Sequence, residues 1–319
     1  MIAIKALSHT YPGTRRQPPR QALAGLDLVV DPGCFAILSG PNGSGKSTLF
    51  RILCGLLRPS QGTIEIGGAD LFADPTRARA LMGVVFQSPA VDRHLSVIEN
   101  LRLQGALYGL SGAEFDARLA EAENWTAIRE RHHERVDTLS GGLARQLELV
   151  KCLLSRPRLL LLDEPTTGLD PASRKAFLDA LHRLHKTMGL TILMTSHIFA
   201  EAEDADKVAI LKDGRLLAYD HPAALRARLG SEMLVIQCAD PQSLGARIKA
   251  EFAPKMMCVH EAEVRLEEIE PSQSLALLER ILDRYRPEIA SVAIKPPDLE
   301  DVFIHITGPA GAGPQGGPR

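Results

Sequence analysis

The sequence predicts an α/β fold with a mixed, largely parallel sheet, followed by a small α+β accessory domain. From residue 1 to about 220, short β-rich runs alternate with helical stretches, which is the order typical of such a sheet. One of these runs, LLLLD at 159–163, is apolar on both faces, as expected of a central parallel strand. After about residue 225 the pattern changes to a shorter mixture of β and helical segments.

Seven runs have the composition of β-strands: residues 2–7, 26–30, 35–39, 63–66, 83–86, 159–163 and 191–196. Between residues 95 and 155 these signals lapse, and apolar residues recur at helical spacing, as in VIENLRLQGALYGL. This block predicts a helical subdomain at about 90–155. Residues 208–219 are two apolar runs joined through Asp213 and Gly214, which predicts a β-hairpin.

Three segments follow from these patterns: a main domain at 1–225, an accessory domain at 226–307 and a tail at 308–319. The accessory domain contains the β candidate MLVIQC and a helix predicted at 274–285. The tail has five glycines and three prolines in its twelve residues, so it buries too little surface to order itself, and we predict it to be flexible. The stretch TRRQPPRQ at 14–21 is predicted to be a solvated loop, with a specific anion contact as the alternative.

Composition excludes several classes of protein. A length of 319 residues suggests two domains at about 150 residues each. The net charge of −2 gives no global footprint for nucleic acid, and no apolar run approaches the ~20 residues of a membrane helix. No secretory signal is evident, so we expect a cytosolic chain. The five cysteines lack C-x-x-C spacing, which favours reduced structural thiols over zinc sites or disulfides.

The stretch SGPNGSGKSTLF at 39–50 has the form of a phosphate-binding P-loop. Gly40, Gly45, Lys46 and Ser47 have the required spacing, with a strand candidate before them and a helical run after them. Glycines let the backbone N–H groups converge on a phosphate, Lys46 offers a charge to the β- and γ-phosphates, and Ser47 can ligate Mg²⁺. The other candidate nucleotide-binding residues of this loop are Pro41, Asn42, Gly43, Ser44 and Thr48. The loop alone fits kinases, GTPases, helicases, DNA-clamp ATPases and transporter motors equally.

Two acidic residues end the buried run LLLLDE at 159–164. Asp163 is placed to hold Mg²⁺ directly or through water, and Glu164 to polarise an attacking water. Two carboxylates at the end of an apolar strand would be costly to bury without a metal or solvent partner. The pair is therefore the predicted catalytic half of the phosphate site.

The stretch LSGGLARQLELVKCLL at 139–154 narrows the class. Ser140, Gly141 and Gly142 open a helix, so a hydroxyl and bare N–H groups lie at the positive end of a helix dipole and form a second anion site. Gln87 in VVFQSP, TTGLD at 166–170 and SH at 196–197 are also present. With these motifs in this order, about residues 2–220 resemble the ATPase subunit of an ABC transporter. The region ending in LEDVFIHITG resembles the C-terminal extension of exporter-type members.

The resemblance implies ATP and Mg²⁺ as cofactors and a dimer of two ATPase chains, with a homodimer expected. In the family, the LSGG segment contacts the γ-phosphate of the ATP that the partner chain holds. Leu143 stands where the family usually has glutamine and cannot make its polar contacts, yet we expect activity to survive. By the same resemblance, Asp170 belongs to the D-loop at the nucleotide interface.

The resemblance also assigns roles to three residues that would be unremarkable alone. Gln87 reaches the metal and the attacking water, and its loop leads into the helical block that touches the membrane partner. His197 contacts the γ-phosphate and orients the water together with Glu164. Tyr11, at the end of the first strand candidate, stacks on adenine.

The function expected from the resemblance is an ATP-hydrolysing motor that energises a separate transmembrane permease, with export favoured by the C-terminal extension. Its location would be the cytoplasmic face of the membrane, with membrane contact through the permease and no nucleic-acid partner. The alternative is a soluble ABC-type ATPase acting on nucleic acid or ribosomes. Such relatives usually carry coiled-coil or zinc-bearing insertions or a second P-loop, and this sequence has none of these patterns. For the extension, the alternative role is to stabilise the dimer.

Overall fold

The computed structural model describes residues 1–13, 18–259, 262–269 and 271–307. They form two compact units, the first Met1–Tyr219 and the second beginning at Asp220. The division lies slightly before the boundary predicted at residue 225, because helix α8 (Pro222–Ala227) packs against the C-terminal helix α11 (Leu299–Thr307) of the second unit. The predicted tail at 308–319 and residues 14–17 of the predicted loop lie outside the described residues.

The first unit contains a four-stranded antiparallel sheet in the order β2-β1-β4-β5. Its strands are β1 (Ile2–Tyr11), β2 (Arg20–Val30), β4 (Gln61–Ile66) and β5 (Ala69–Asp70). Three of the predicted strands therefore lie outside the parallel sheet. The loop prediction was wrong for Arg20 and Gln21, because these polar residues pair with the end of β1 at Tyr11 and Thr10.

The main sheet has six strands in the order β10-β9-β3-β8-β7-β6. They are β3 (Phe35–Ser39), β6 (Met82–Val85), β7 (Leu159–Asp163), β8 (Thr191–Thr195), β9 (Lys207–Lys212) and β10 (Arg215–Asp220). The pairings of β3 with β8 and β9, and of β7 with β6 and β8, are parallel. The four leucines of β7 are buried, as its two-sided apolar sequence predicts. The α/β fold class is confirmed.

The core of the first unit lies between its two sheets, around helix α1 (Lys46–Leu53). Ile4 and Ile64 from the antiparallel sheet, Leu38 from the main sheet and Leu49 from α1 belong to one buried cluster. Because α1 begins directly after the glycine-rich loop, this packing anchors one end of that loop.

The predicted hairpin is confirmed between β9 and β10. Asp213 has φ 49° and Gly214 φ 74°, and positive φ at both central residues is the signature of a type I′ turn. Asp and Gly tolerate this conformation, which explains why the dipeptide predicts the turn.

Helices of the first unit lie mostly where helical spacing predicts them. Residues 90–155, all of them described, contain α3 (Val97–Leu107), α4 (Gly112–Glu123) and α5 (Gly141–Leu153) and no β-strand. A capping box between Ser96 and Glu99 starts α3. The remaining helices of this unit are α2 (Pro75–Ala80), α6 (Pro171–Met188) and α7 (Phe199–Ala202).

In its described residues, the second unit has an antiparallel sheet in the order β12-β13-β11-β14 and four α-helices. Its strands are β11 (Glu232–Cys238), β12 (Met256–Val259), β13 (Glu263–Ile269) and β14 (Ile289–Lys295). Helices α9 (Pro241–Phe252) and α10 (Pro271–Tyr285) cover one face, where Leu244, Ile248 and Ile281 pack on Leu234 and Ile236. In the described part of the chain, no helix has both the length and the apolar character needed to span a membrane.

Candidate active site

The glycine-rich loop joins β3 to α1 and curls tightly against its neighbours. A Cβ on Gly45, whose φ is 109°, would lie 2.6 Å from the carbonyl oxygen of Ala22. A Cβ on Gly40 would lie 2.3 Å from the carbonyl oxygen of Leu211. No other residue type fits either position without moving the backbone, so both glycines are required by packing as well as by the phosphate-binding pattern.

The hairpin between β9 and β10 supports this loop directly. The N–H of Gly214 donates to the carbonyl oxygen of Ser44 at 2.9 Å, and the N–H of Ala24 donates to the carbonyl oxygen of Gly214 at 2.9 Å. The Ser44 hydroxyl is buried and has no hydrogen-bond partner among the described residues. The backbone of the hairpin thus holds the loop at Ser44.

Lys46 lies inside the loop, with only 6% of its surface exposed. Its Nζ donates to the carbonyl oxygens of Gly40 at 2.6 Å and Pro41 at 3.2 Å. Burial lowers the pKa of Lys46, while the carboxylates of Glu164 and Asp163 oppose that shift. The ammonium group is therefore placed where the loop turns, facing the two acidic residues.

A cavity of about 290 Å³ lies beside the loop. Its lining includes six of the predicted nucleotide-binding residues, namely Asn42, Gly43, Gly45, Lys46, Ser47 and Thr48. Tyr11 also lines it, and its hydroxyl lies 3.3 Å from Thr48 Oγ1. Arg20 and Ala22 line it as well. Arg20 belongs to the stretch for which an anion contact was the alternative prediction, whereas sequence reasoning missed Ala22 because β2 begins earlier than its apolar run.

Thr195, at the end of β8, connects the two acidic residues at the end of β7. Its hydroxyl donates to Asp163 Oδ1 at 2.7 Å and accepts from the N–H of Glu164 at 2.8 Å. Burial raises the pKa of Asp163, although the Thr195 hydrogen bond acts in the opposite direction. Sequence reasoning missed Thr195; its position directly before the SH motif was the available signal.

Glu164 lies at the edge of the cavity, and three polar side chains surround one of its carboxylate oxygens. Gln87 Nε2 donates to Glu164 Oε2 at 3.2 Å, and Thr167 Oγ1 donates to the same oxygen at 3.3 Å. His197 Nδ1 lies 3.6 Å from it. The three predicted catalytic residues Gln87, Glu164 and His197 are therefore adjacent, although they come from three separate segments.

The loop containing Gln87 is held by a buried charged pair in α5. Arg145 is 2% exposed, pairs with Glu148 at 2.7 Å and donates to the backbone carbonyl oxygens of Phe86 and Gln87. Glu148 in turn accepts from the N–H of Ala90 at 3.0 Å. The helix that begins with the LSGG segment thus positions the loop that reaches Glu164.

The LSGG segment itself does not reach the cavity of its own chain. Ser140 is the N-cap of α5, and its Oγ accepts from the N–H of Leu143 at 3.3 Å. Gly142 lies against the start of α6, since a Cβ there would be 2.6 Å from Ser173 Oγ. Asp170 is the N-cap of α6 and accepts from the N–H of Ser173 at 3.0 Å. The cavity lining does not include Ser140, Gly141, Gly142 or Asp170.

A second buried network joins the TTGLD and SH segments. Glu201, on α7, is 4% exposed and accepts from Thr166 Oγ1 at 2.7 Å and from Ser196 Oγ at 2.6 Å. No motif in the sequence singles out Glu201, which lies 35 residues from Thr166. Its carboxylate therefore holds Thr166, two residues after Glu164, and Ser196, directly before His197.

Comparison with known proteins decides the family. The family model for ABC transporters matches residues 23–167. The chain is 34% identical to the daunorubicin/doxorubicin resistance ATP-binding protein DrrA of Streptomyces peucetius, over 96% of this chain and 92% of the relative. The chain belongs to the ABC transporter family of ATP-binding proteins. This ABC ATPase is also 35% identical to the Nod factor export ATP-binding protein I of Rhizobium johnstonii, over 86% of each chain.

Solved structures agree with the assignment. The dimeric structure of the ATP-binding cassette MJ0796 in a post-hydrolysis state, bound to ADP and Pi, has a TM-score of 0.62 and 26% identity to this ABC ATPase. The match covers 69% of this chain and 98% of the solved chain. The protein is therefore an ATP-hydrolysing subunit of the ABC transporter type, and the alternative of a soluble ATPase acting on nucleic acid or ribosomes is not favoured.

Proposed function

We propose that this ABC ATPase drives export of a small molecule through a separate transmembrane permease, with Glu164 as the general base of ATP hydrolysis. The observation that carries the catalytic part is the convergence of Gln87, Thr167 and His197 on Glu164 Oε2, at the edge of the cavity beside the P-loop. The export direction is supported by the names of the two relatives, a drug-resistance protein and a Nod factor exporter.

In this proposal the loop backbone and Lys46 bind the phosphates of ATP. Glu164 accepts a proton from the attacking water, since a positioned carboxylate within hydrogen-bond reach is the usual base for such a step. Gln87 and His197 orient the carboxylate and the water. Tyr11, at the cavity wall, contacts the adenine base.

Magnesium fits the residues present. Ser47 lines the cavity, and Asp163 supplies a half-buried carboxylate whose pKa burial raises. Hydroxyl and carboxylate oxygens are the ligands that Mg²⁺ prefers, and two adjacent carboxylates need a compensating cation. Ser47 and Asp163 would hold the ion, with Gln87 as a further ligand. When bound, Mg²⁺ would supply positive charge that offsets the negative charge developing during phosphoryl transfer.

We infer that the ATP site is completed by a second ATPase chain, expected to be identical. Ser140 and the glycines after it present backbone N–H groups at the start of α5, a ready-made anion site, and they lie away from the cavity of their own chain. The solved cassette MJ0796 is dimeric. ATP bound to one chain would then contact the LSGG segment of the other, and closure of the dimer would be linked to the nucleotide cycle.

The helical block carries the surface for the permease. Leu103, Leu107 and Tyr108 on and just after α3 have 54%, 75% and 45% of their surfaces exposed. Large apolar side chains exposed together mark interaction surfaces. The loop from Gln87 runs into this block, so contact with a permease would be coupled to the residue beside Glu164. The chain would act on the cytoplasmic face of the membrane, held there by the permease.

Glu164→Gln tests the catalytic assignment. Glutamine keeps the size of the side chain but cannot accept the proton of water, so ATP turnover should fall at least ~10²-fold while ATP binding persists. Inside-out vesicles containing the chain and its co-purified permease should show ATP-dependent uptake, which this variant should lose. Near-normal hydrolysis by the variant would remove Glu164 from its role, whereas ATP-driven efflux from such vesicles would contradict the export direction alone.

A further inference from the structure

The two faces of the sheet in the second unit differ in chemistry. One face carries the apolar core beneath α9 and α10. On the other face, polar residues of β13 meet polar residues of α11: Arg265 contacts Asp301 at 2.7 Å, and Glu267 contacts His305 at 2.7 Å. Asp301 and His305 are one helical turn apart, so they lie on the same side of α11.

Cys258 joins the second of these contacts from the neighbouring strand. The register pairs Cys258 with Arg265 and Met256 with Glu267, so Cys258 and Glu267 are diagonal neighbours on one face. One ligand atom each from Cys258, Glu267 and His305 lies within 4.8 Å of the other two. A thiol, a carboxylate and an imidazole thus converge from β12, β13 and α11.

Two of the three groups, Glu267 and Cys258, are buried, and the cluster contains polar atoms without a regular hydrogen bond. Glu267 is 2% and Cys258 8% exposed. Glu267 Oε2 and His305 Nδ1 are close enough for an ion pair, yet neither atom makes a hydrogen bond of acceptable geometry within the described residues. Native buried polar atoms without a partner call for an explanation, and a bound ion is one of the usual ones.

The charged residues next to this cluster are paired with one another. Arg265 is paired with Glu263 at 2.5 Å and with Asp301 at 2.7 Å, and Lys295 is paired with Asp298 at 3.0 Å and Asp301 at 2.9 Å. Among the described residues, these two cations are therefore already matched by other carboxylates. Glu267 is left with His305, at 2.7 Å, and Cys258 as its polar neighbours.

We propose that Cys258, Glu267 and His305 form a binding site for a divalent transition-metal ion of the Zn²⁺ class. Thiolate, imidazole and carboxylate are the ligand types that Zn²⁺ takes at about 2.0–2.3 Å, and three protein ligands leave one position for water or another ligand. Tetrahedral geometry at those lengths separates ligand atoms by roughly 3.3–3.7 Å, within reach of the observed cluster after a small widening of the Glu267–His305 contact. The ion would fasten α11 to the edge of the sheet.

A metal ion can reach the cluster from solvent. The His305 side chain is 20% exposed, so the cluster is open to solvent at that residue. Soft ligands such as thiolate and imidazole select zinc-like ions over Mg²⁺, so the site would not compete for the ion used with ATP. Metal binding needs the thiolate of Cys258 and the neutral imidazole of His305, so protons held by these two groups are released to solvent.

The test uses the tag-free full chain without nucleotide, titrated with Co²⁺ as a spectroscopic substitute for Zn²⁺. One equivalent should produce the near-ultraviolet charge-transfer band that requires a thiolate ligand, and Zn²⁺ should abolish it by displacement. Cys258→Ala should lose the band. Cys238→Ala is the matched control, because Cys238 is equally buried, at 8% exposure, in the same sheet but packs in the apolar core.

His305→Gln keeps the Cys258 thiol and provides a second test of the metal site if Cys258→Ala does not fold. Its Co²⁺ dissociation constant should rise at least ~10-fold, the lower end of the loss seen even for groups that only support a ligand. The absence of a thiolate band in the unmodified chain would overturn the proposal. So would a band that survives Cys258→Ala, a band lost in Cys238→Ala instead, or unchanged affinity in His305→Gln. None of these measurements depends on ATP hydrolysis.

Discussion

Glu164 combines its chemistry with an unusual backbone conformation. Its φ is 43°, in the left-handed region that costs a non-glycine residue about 1–3 kcal/mol. The hydrogen bond from its N–H to Thr195 Oγ1 helps to hold this conformation, and the same hydroxyl donates to Asp163. Thr195 is therefore a positioning residue for both carboxylates.

Thr195→Val tests this role, since valine keeps the shape and removes the hydroxyl. We expect kcat for ATP to fall about 10- to 100-fold, as for loss of a group that orients a ligand, with a smaller change in KM. Thr191→Val is the control, because Thr191 lies on the same strand, is equally buried and accepts from the N–H of Gly33 far from the acidic residues. A comparable loss of kcat in both variants would assign the effect to general destabilisation of β8.

The hairpin between β9 and β10 acts as a brace for the P-loop. Gly214 donates to Ser44, and a Cβ at this position would lie 2.7 Å from the Ala22 carbonyl oxygen and 2.8 Å from Leu23 Cα. Both neighbours are backbone or Cα atoms of the strand that lines the nucleotide cavity. A side chain here cannot be accommodated by rotation of another side chain.

Gly214→Ala should therefore weaken ATP binding by roughly tenfold, about 1.4 kcal/mol, because the hairpin must move away from the loop. Gly189→Ala is the matched control: Gly189 also has a positive φ, 61°, but a Cβ there meets nothing within 4 Å. Both variants pay about 1–2 kcal/mol of backbone strain in unfolding free energy. Equal ATP affinity in the two variants, measured by titration calorimetry, would show that the brace has no influence on the loop.

Helix α3 carries the prediction about the membrane partner. Leu107→Glu places a charge in the exposed apolar surface of the helical block and should abolish co-purification with the permease from solubilised membranes. Leu56→Glu is the control, since Leu56 is 60% exposed but lies outside that block. Binding of ATP to each free variant verifies that it is folded. Retained co-purification in Leu107→Glu, or its loss in both variants, would exclude this surface as the permease contact.

For the molecule as a whole, the central prediction is that each ATP site is shared between two chains. Lys46→Ala disables the P-loop and Ser140→Arg blocks the LSGG segment, so each homogeneous preparation should be inactive. A mixture should regain hydrolysis, because the P-loop of the Ser140 variant meets the intact LSGG segment of the Lys46 variant. Mixed preparations that stay inactive, although mass spectrometry shows heterodimers, would indicate a site contained within one chain.

Much of the first unit was predictable because its signals are local. The leucines of β7, the helical spacing between residues 95 and 155 and the Asp213–Gly214 turn each specify their structure within a few neighbouring residues. Strands with polar ends were harder to delimit, since Arg20 joins β2 only through pairing with Tyr11. The division of the strands between two sheets depends on pairing partners that no local pattern identifies.

The glycine spacing and Lys46 pointed to a nucleotide-phosphate site without any structure, because phosphate binding needs those groups within one short segment. The paired carboxylates at 163 and 164 end an apolar run, which marked them as the catalytic half of that site. Only the folded structure shows which residues from distant parts of the chain lie beside these groups. Gln87 reaches Glu164 across 77 residues, and Glu201 reaches Thr166 across 35. Cys258, with no partner at metal-ligand spacing, gained a carboxylate and an imidazole when β13 and α11 packed beside it. Contacts of this kind arise from the packing of whole elements, so the spacing of residues along the chain does not contain them.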